Sequence, residues 1–167
     1  HPVLRTSDKL DEDEKDKFRQ LCRMDMNAKA ADINLFTRSL RTLSEFLYKH
    51  YGQKVIILID EYDVPLPKAE QSGFYNEMVS LVRGLFDQTL KTNPYMKFAV
   101  LTGCLRIAKE SIFTGLNKVK VYTVLDRNFS DAFGYIDEEV RTMLNYLGLS
   151  NHYEDIKAWY DGYQFGE

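Results

Sequence analysis

Two carboxylates stand side by side at the end of an aliphatic run. Residues 55–63 read VIILIDEYD, so Asp60 and Glu61 follow five uninterrupted aliphatic residues. A run of that length suits a strand covered on both faces, as at the centre of a parallel sheet. Open α/β sheets bind ligands beyond the carboxyl ends of their strands, so acids at that place point to chemistry. A first carboxylate there can hold magnesium, and a second can orient or deprotonate an attacking water. Magnesium takes hard oxygen ligands and keeps several waters, a role that suits Asp60; Glu61 would then position water. The plainer alternative is that both acids only cap and solvate a strand end. Asp63 is a third acid within reach. DEYD could form a metal-dependent nuclease site by itself, but Asp before Pro65 is also an ordinary turn residue, which is the preferred reading.

Two further residues belong with this group. Thr102 ends the next apolar run, KFAVLTG at 97–103, where a polar side chain can touch a γ-phosphate and its water. Strand propensity alone would also explain a threonine there. Arg106 lies four residues on and could neutralise transition-state charge, although a surface arginine is the simpler reading. A loop to cradle phosphates is missing, because G-x-x-x-x-G-K-[ST] occurs nowhere in the 167 residues. GCLRIAKES at 103–111 resembles such a loop only superficially, since no second glycine precedes Lys109.

These residues need elements to position them. Residues 8–17 are almost all charged. Asp11 with Lys15 and Asp13 with Lys17 are acid-first pairs four apart, so residues 11–23 predict a mostly solvated helix. Ile33, Phe36, Leu40, Leu43 and Leu47 recur at steps of three and four, an amphipathic helix that Gly52 ends. The strand at 54–59 follows. Pro65 and Pro67 are expected to break regular structure. A second strong helix then carries Phe74, Met78, Leu81, Leu85 and Thr89, backed by Val82 and Phe86, and Asn93-Pro94 ends it. KFAVLTG predicts a second strand, residues 109–113 a short helical piece, and VKVYTVLD at 119–126 a third strand. The alternation predicts parallel crossovers in an α/β layered sheet. Beyond 126, Asp137 and Ser150 can each cap a helix, and Gly148 closes the first. Two helices without an intervening strand predict a small helical subdomain.

Composition narrows the functional classes. A hydrophobic fraction of 44% supports one globular core, and a net charge of −3 gives no broad basic surface for nucleic acid or anionic lipid. Cys22 and Cys104 are far apart, without metal-ligand spacing, and read as reduced, buried thiols of a cytoplasmic protein. No apolar run reaches membrane-spanning length. His1, His50 and His152 are scattered and read as surface residues. Trp159, Tyr160, Tyr163 and Phe165 could stack a base, but helix-end packing onto a part of the protein missing from this chain is the preferred reading.

The ordered blocks VIILIDEYDVPL, LVRGLF, FAVLTGCLRIAKESIFTGLNKVKVYTVLD, FSDAFG and WYDGYQFG together resemble the bacterial AAA-ATPase-like family. These are predicted P-loop ATPases often followed by a PD-(D/E)XK nuclease-like domain. The resemblance runs from about Ser7 to the last residue. It implies a P-loop core with a parallel sheet sandwiched by helices over 1–130, and the start of a helical lid over 131–167. It implies Asp60 and Glu61 as a Walker B pair and Thr102 at the sensor position. Family members carry a Walker A block N-terminal to these residues, so the chain reads as truncated at its N-terminus. ATP and magnesium are then expected in the full-length protein, with the fragment alone inactive. Nucleic acid would be met only through an absent nuclease-like domain. The alternative is a nucleotide-incompetent scaffold that regulates or binds proteins. Exposed sheet edges predict self-association or a protein partner.

Overall fold

The acid-rich start of the chain folds as a helix because its first turn is capped from both sides. In this computed structural model, which describes residues 1–23, 30–104, 112–113, 116, 119–132, 134–162 and 166, with backbone alone at 30–32, helix α1 spans Glu12–Cys22. The Asp11 carboxylate accepts from the Glu14 amide at 2.8 Å, and the Glu14 carboxylate accepts from the Asp11 amide at 3.2 Å. With Asp11 occupied as the cap, Lys15 pairs instead with Glu12 at 2.8 Å. The expected pairing of Lys15 with Asp11 is therefore corrected. A short 3-10 turn, Pro2–Arg5, precedes α1.

Helix α2 spans Ala30–Tyr51, and Gly52 follows it with φ +70°, the left-handed geometry glycine tolerates at a helix end. Phe46 is its most deeply buried large side chain, packed with Leu4, Leu10 and Phe18 in one apolar cluster. Leu43 and Leu47 border that cluster, as their spacing predicts, whereas Ile33 is exposed.

Strand β1, Val55–Ile59, pairs in parallel with β2, Met96–Leu101. Ile57 faces Ala99 and Ile59 faces Leu101, after a register shift between Val55 and Ile56. Between the strands come α3 (Pro65–Gln71) and α4 (Tyr75–Phe86). The prolines start α3 rather than preventing it: the first helical turn has no use for the missing amide hydrogen, and proline's φ already suits a helix. Helix α4 buries Val79, Val82 and Phe86, with Met78 and Leu85 packed against the same core as their spacing predicts, while Phe74, the residue before the helix, stays exposed. It then widens into a π-helical turn, Asp87–Lys91, which brings Thr89 to full burial. At Gly84 it passes so close to α2 that a Cβ would lie 3.0 Å from Thr37 Cγ2.

Val79, Val82, Phe86, Leu66 and Ile112 form the main core, with Ile59 and Leu101 packed against it. Core therefore covers one face of the sheet. On the other face Ile56 is 51% and Leu58 74% exposed, with Phe98 and Val100 also exposed beside them. The expectation of a strand covered on both faces holds for one face among the described residues. The expected third strand at 119–126 is likewise not formed. Among the described residues nothing supplies a ladder to it, and a turn replaces it: the Asp126 carboxylate accepts from the Thr123 amide at 2.6 Å and hydroxyl at 2.8 Å. Strand propensity expresses itself only against a neighbour. Ile112 and Phe113 lie in a bend, not a helix, and 109–111 fall outside the described residues.

The chain divides into two compact units, His1–Asn117 and Lys118–Glu167. In the second, α5 spans Asp137–Tyr146 and α6 spans Tyr153–Tyr160, joined through Gly148 and a 3-10 turn, Ser150–His152. Asp137 is the first helical residue rather than the cap; the Ile136 amide donates to the Glu139 carboxylate at 3.0 Å. Among its described residues Tyr153 and Leu144 are buried, and the Arg141 guanidinium lies 3.6 Å over the Tyr153 ring. No helix among the described residues is long and apolar enough to cross a membrane.

Candidate active site at the carboxyl ends of the strands

Parallel pairing places the ends of β1 and β2 side by side, and that fixes which sequence-predicted residues meet. Asp60 leaves β1 just where Thr102 leaves β2. The Thr102 hydroxyl donates to Asp60 Oδ1, and the Glu61 amide donates to the same oxygen at 3.0 Å. The backbone closes the same seam, because the Thr102 amide donates to the Ile59 carbonyl at 2.9 Å and the Tyr62 amide to the Thr102 carbonyl at 3.0 Å. Asp60 and Thr102 are thus one unit, although each is exposed to solvent.

Glu61 turns outward by an unusual backbone. Its φ is +50°, the left-handed region, which costs a residue with a Cβ and is common at functional sites. Because the strand has ended, Asp60 and Glu61 are not obliged to point to opposite faces; both are solvent-exposed at the tip of the sheet.

Asp63, read from sequence as a turn residue, does take part in the turn: the Leu66 amide donates to its carbonyl at 3.1 Å. Its side chain, however, is buried at 4% exposure. Gly103 faces it, and a Cβ at that position would lie 2.5 Å from Asp63 Oδ1 and 2.7 Å from the Tyr62 ring. Sequence reasoning missed both Gly103 and Tyr62 as parts of this site. The signal was a glycine placed immediately after the strand-end threonine. Arg106 lies outside the described residues.

A magnesium ion would find one suitable oxygen here. Both hydrogen bonds to Asp60 fall on Oδ1, and among the described residues Oδ2 carries none. No cluster of three or more potential metal ligands occurs among the described residues. That donor set fits magnesium held by one carboxylate plus phosphate oxygens and water, better than an all-protein metal cage.

Other candidates fare differently. Cys22 and Cys104 are both exposed, which corrects the expectation of buried thiols. His50 is half-buried, its Nδ1 lying 2.8 Å from the hydroxyl of buried Ser7, so it is not a plain surface residue. Trp159 and Tyr160 are 83% and 76% exposed and line a shallow groove of about 500 Å3 with Leu149 and Ile156. Tyr163 and Phe165 lie outside the described residues.

A family model described as Predicted AAA-ATPase matches residues 3–113. The chain belongs to this family. It is 31% identical over 117 residues to a protein of Azotobacter chroococcum mcd 1 described as an uncharacterized protein in the vnfD 5' region. That match covers 68% of this chain and 22% of the relative, so the chain spans about a fifth of that relative's length. No solved structure matches the chain. The matched segment contains both strands, Asp60, Glu61 and Thr102. The fold of the described residues is a mixed one, helices with a two-stranded parallel sheet, compatible with α/β.

Proposed function

We propose that this member of the predicted AAA-ATPase family carries the magnesium and water-activating half of an ATP-hydrolysing site, on a P-loop-type core. Asp60 is the magnesium ligand and Glu61 the general base that takes a proton from the attacking water. Thr102 is the sensor of the γ-phosphate, and Arg106 neutralises charge in the transition state. The helices of the second unit are the start of a lid. The observation that supports this reading most is the hydroxyl-to-carboxylate bond between Thr102 and Asp60. It joins a candidate phosphate sensor to a candidate metal ligand across adjacent parallel strands. ATP with magnesium supplies the scissile phosphoanhydride and the charge neutralisation. What the chain's own residues do is hold the ligand oxygen, orient a water and accept its proton.

A phosphate-cradling loop is not encoded in the 167 residues. Hydrolysis is therefore proposed for the full-length protein, not for this chain alone. The Glu61→Gln variant of that protein tests the base. Hydrolysis should fall by about a hundredfold or more while ATP remains bound, since general base catalysis contributes on that scale. Unchanged turnover would remove Glu61 from the reaction.

The second reading is a nucleotide-incompetent scaffold that binds proteins or regulates an attached domain. The open apolar sheet face at Ile56 and Leu58 favours it. On that reading the full-length protein shows no thermal shift with ATP, and Glu61→Gln changes nothing.

A further inference from the structure

The outward pair Asp60 and Glu61 is followed directly by an inward pair, Tyr62 and Asp63. The Tyr62 ring packs edge-on against Phe113 at 5.3 Å and Phe86 at 6.4 Å between centroids. The Asp63 side chain is buried at 4% exposure. A buried carboxylate is tolerated where the protein partners it, whereas an aspartate that only turned the chain would ordinarily stay in water. What admits both side chains is Gly103. Distances of 2.5 and 2.7 Å from a Cβ there to Asp63 Oδ1 and to Tyr62 are closer than such atoms can come. Gly103 does not have a positive φ, so backbone freedom is not the reason for a glycine. The missing side chain itself is what the site uses.

We infer that Thr102 and Gly103 act as a two-point clamp on the acidic turn, with Gly103 and Asp63 as positioning residues that hold Glu61 in its left-handed conformation. Thr102 grips the outward side through the Asp60 carboxylate and the Tyr62 amide. Gly103 receives the inward side. Glu61, with φ +50°, is the hinge between the two. Its carboxylate direction follows from the seating of Asp63, although Asp63 itself touches no reacting atom. The catalytic consequence rests on the ATPase reading; the clamp itself does not.

The test uses Gly103→Ala and Asp63→Ala in the full-length protein, with two readouts. Amide hydrogen exchange at Tyr62, without nucleotide, reports the clamp. It should quicken by about tenfold or more in each variant while amides in α2 keep their protection, as local opening predicts. Turnover of Mg·ATP reports the consequence. The kcat should fall about tenfold or more with KM nearly unchanged, because small misplacements of a catalytic group cost that much. Asp63→Asn, which keeps the shape, should restore most of both. Should Gly103→Ala fail to fold, Asp63→Ala and Asp63→Asn decide the matter alone. Unchanged Tyr62 exchange overturns the clamp even if ATP is hydrolysed. Quickened exchange in a protein that never hydrolyses ATP supports the clamp and defeats the ATPase reading instead. Quickened exchange with unchanged kcat overturns the positioning of Glu61.

Discussion

Thr102 reaches across the seam between two parallel strands to donate its hydroxyl to Asp60, a residue 42 positions earlier in the chain. The bond ties the orientation of one candidate ligand to the state of one candidate sensor. Thr102→Val keeps the shape and β-branching but removes the donor. Stability should change by less than about 1 kcal/mol, since both groups are exposed and solvent replaces the bond. ATP turnover of the full-length protein should nevertheless fall, on the order of tenfold or more, because the reacting groups lose their mutual orientation. Denaturant unfolding and turnover, measured on the same variant, separate the two effects. A large stability loss would make Thr102 a structural residue only.

The open sheet face gives a second expectation. Leu58 is 74% exposed, beside exposed Ile56 and across from Val100. A parallel sheet is normally covered on both faces, and an apolar patch of this kind favours association. Leu58→Gln in the 167-residue chain should leave stability within about 0.5 kcal/mol, as exposed substitutions do. It should also lower dye binding to apolar surface and reduce self-association in light scattering. Loss of stability without a change in association would show that Leu58 is covered within the chain.

The N-terminal segment is clipped to α2 by charge. Lys49 pairs with Glu14 and, at 3.4 Å, with Glu45. The hydrogen bond that Lys49 donates to the Glu14 carboxylate is the first cause that holds its ammonium above its ordinary pKa, with Glu45 adding to it and burial opposing it. A group raised on folding stabilises the protein fully below its unfolded pKa and loses that contribution as pH rises through the folded one. The clip should therefore persist at neutral pH and fade above about pH 10, where lysines discharge. Comparing the alkaline limb of the stability profile in the parent and in Glu14→Gln checks this. The parent should lose more on crossing that range. Parallel profiles would mean the pair is energetically silent, as exposed pairs often are.

How much of this was legible in the sequence differs by element. The strands were readable because aliphatic runs bounded by charge or glycine leave few alternatives, and their parallel pairing follows from the intervening helices. Asp60 and Thr102 were each named from position alone, and their meeting follows from register, which periodicity does not encode. Gly103 was passed over because a glycine after a strand normally signals a turn; only the closeness of Asp63 reveals that it provides room. The prolines at 65 and 67 were misread because the helix-starting and helix-breaking roles of proline depend on which position of the turn they occupy. The stretch at 119–126 has the composition of a strand, but composition cannot provide the neighbour a strand needs. Residues 105–111, including Arg106, lie outside the described part, so that stretch of the sequence reading stands as a proposal.

The proposed function depends above all on Asp60 presenting an oxygen to magnesium bound with ATP. The most direct measurement is the thermal shift of the full-length protein on adding Mg·ATP, compared with its Asp60→Asn variant and with ATP in the absence of magnesium. A clear rise in melting temperature that requires magnesium and is largely lost in Asp60→Asn is expected. An equal rise in both proteins, or none in either, would contradict it.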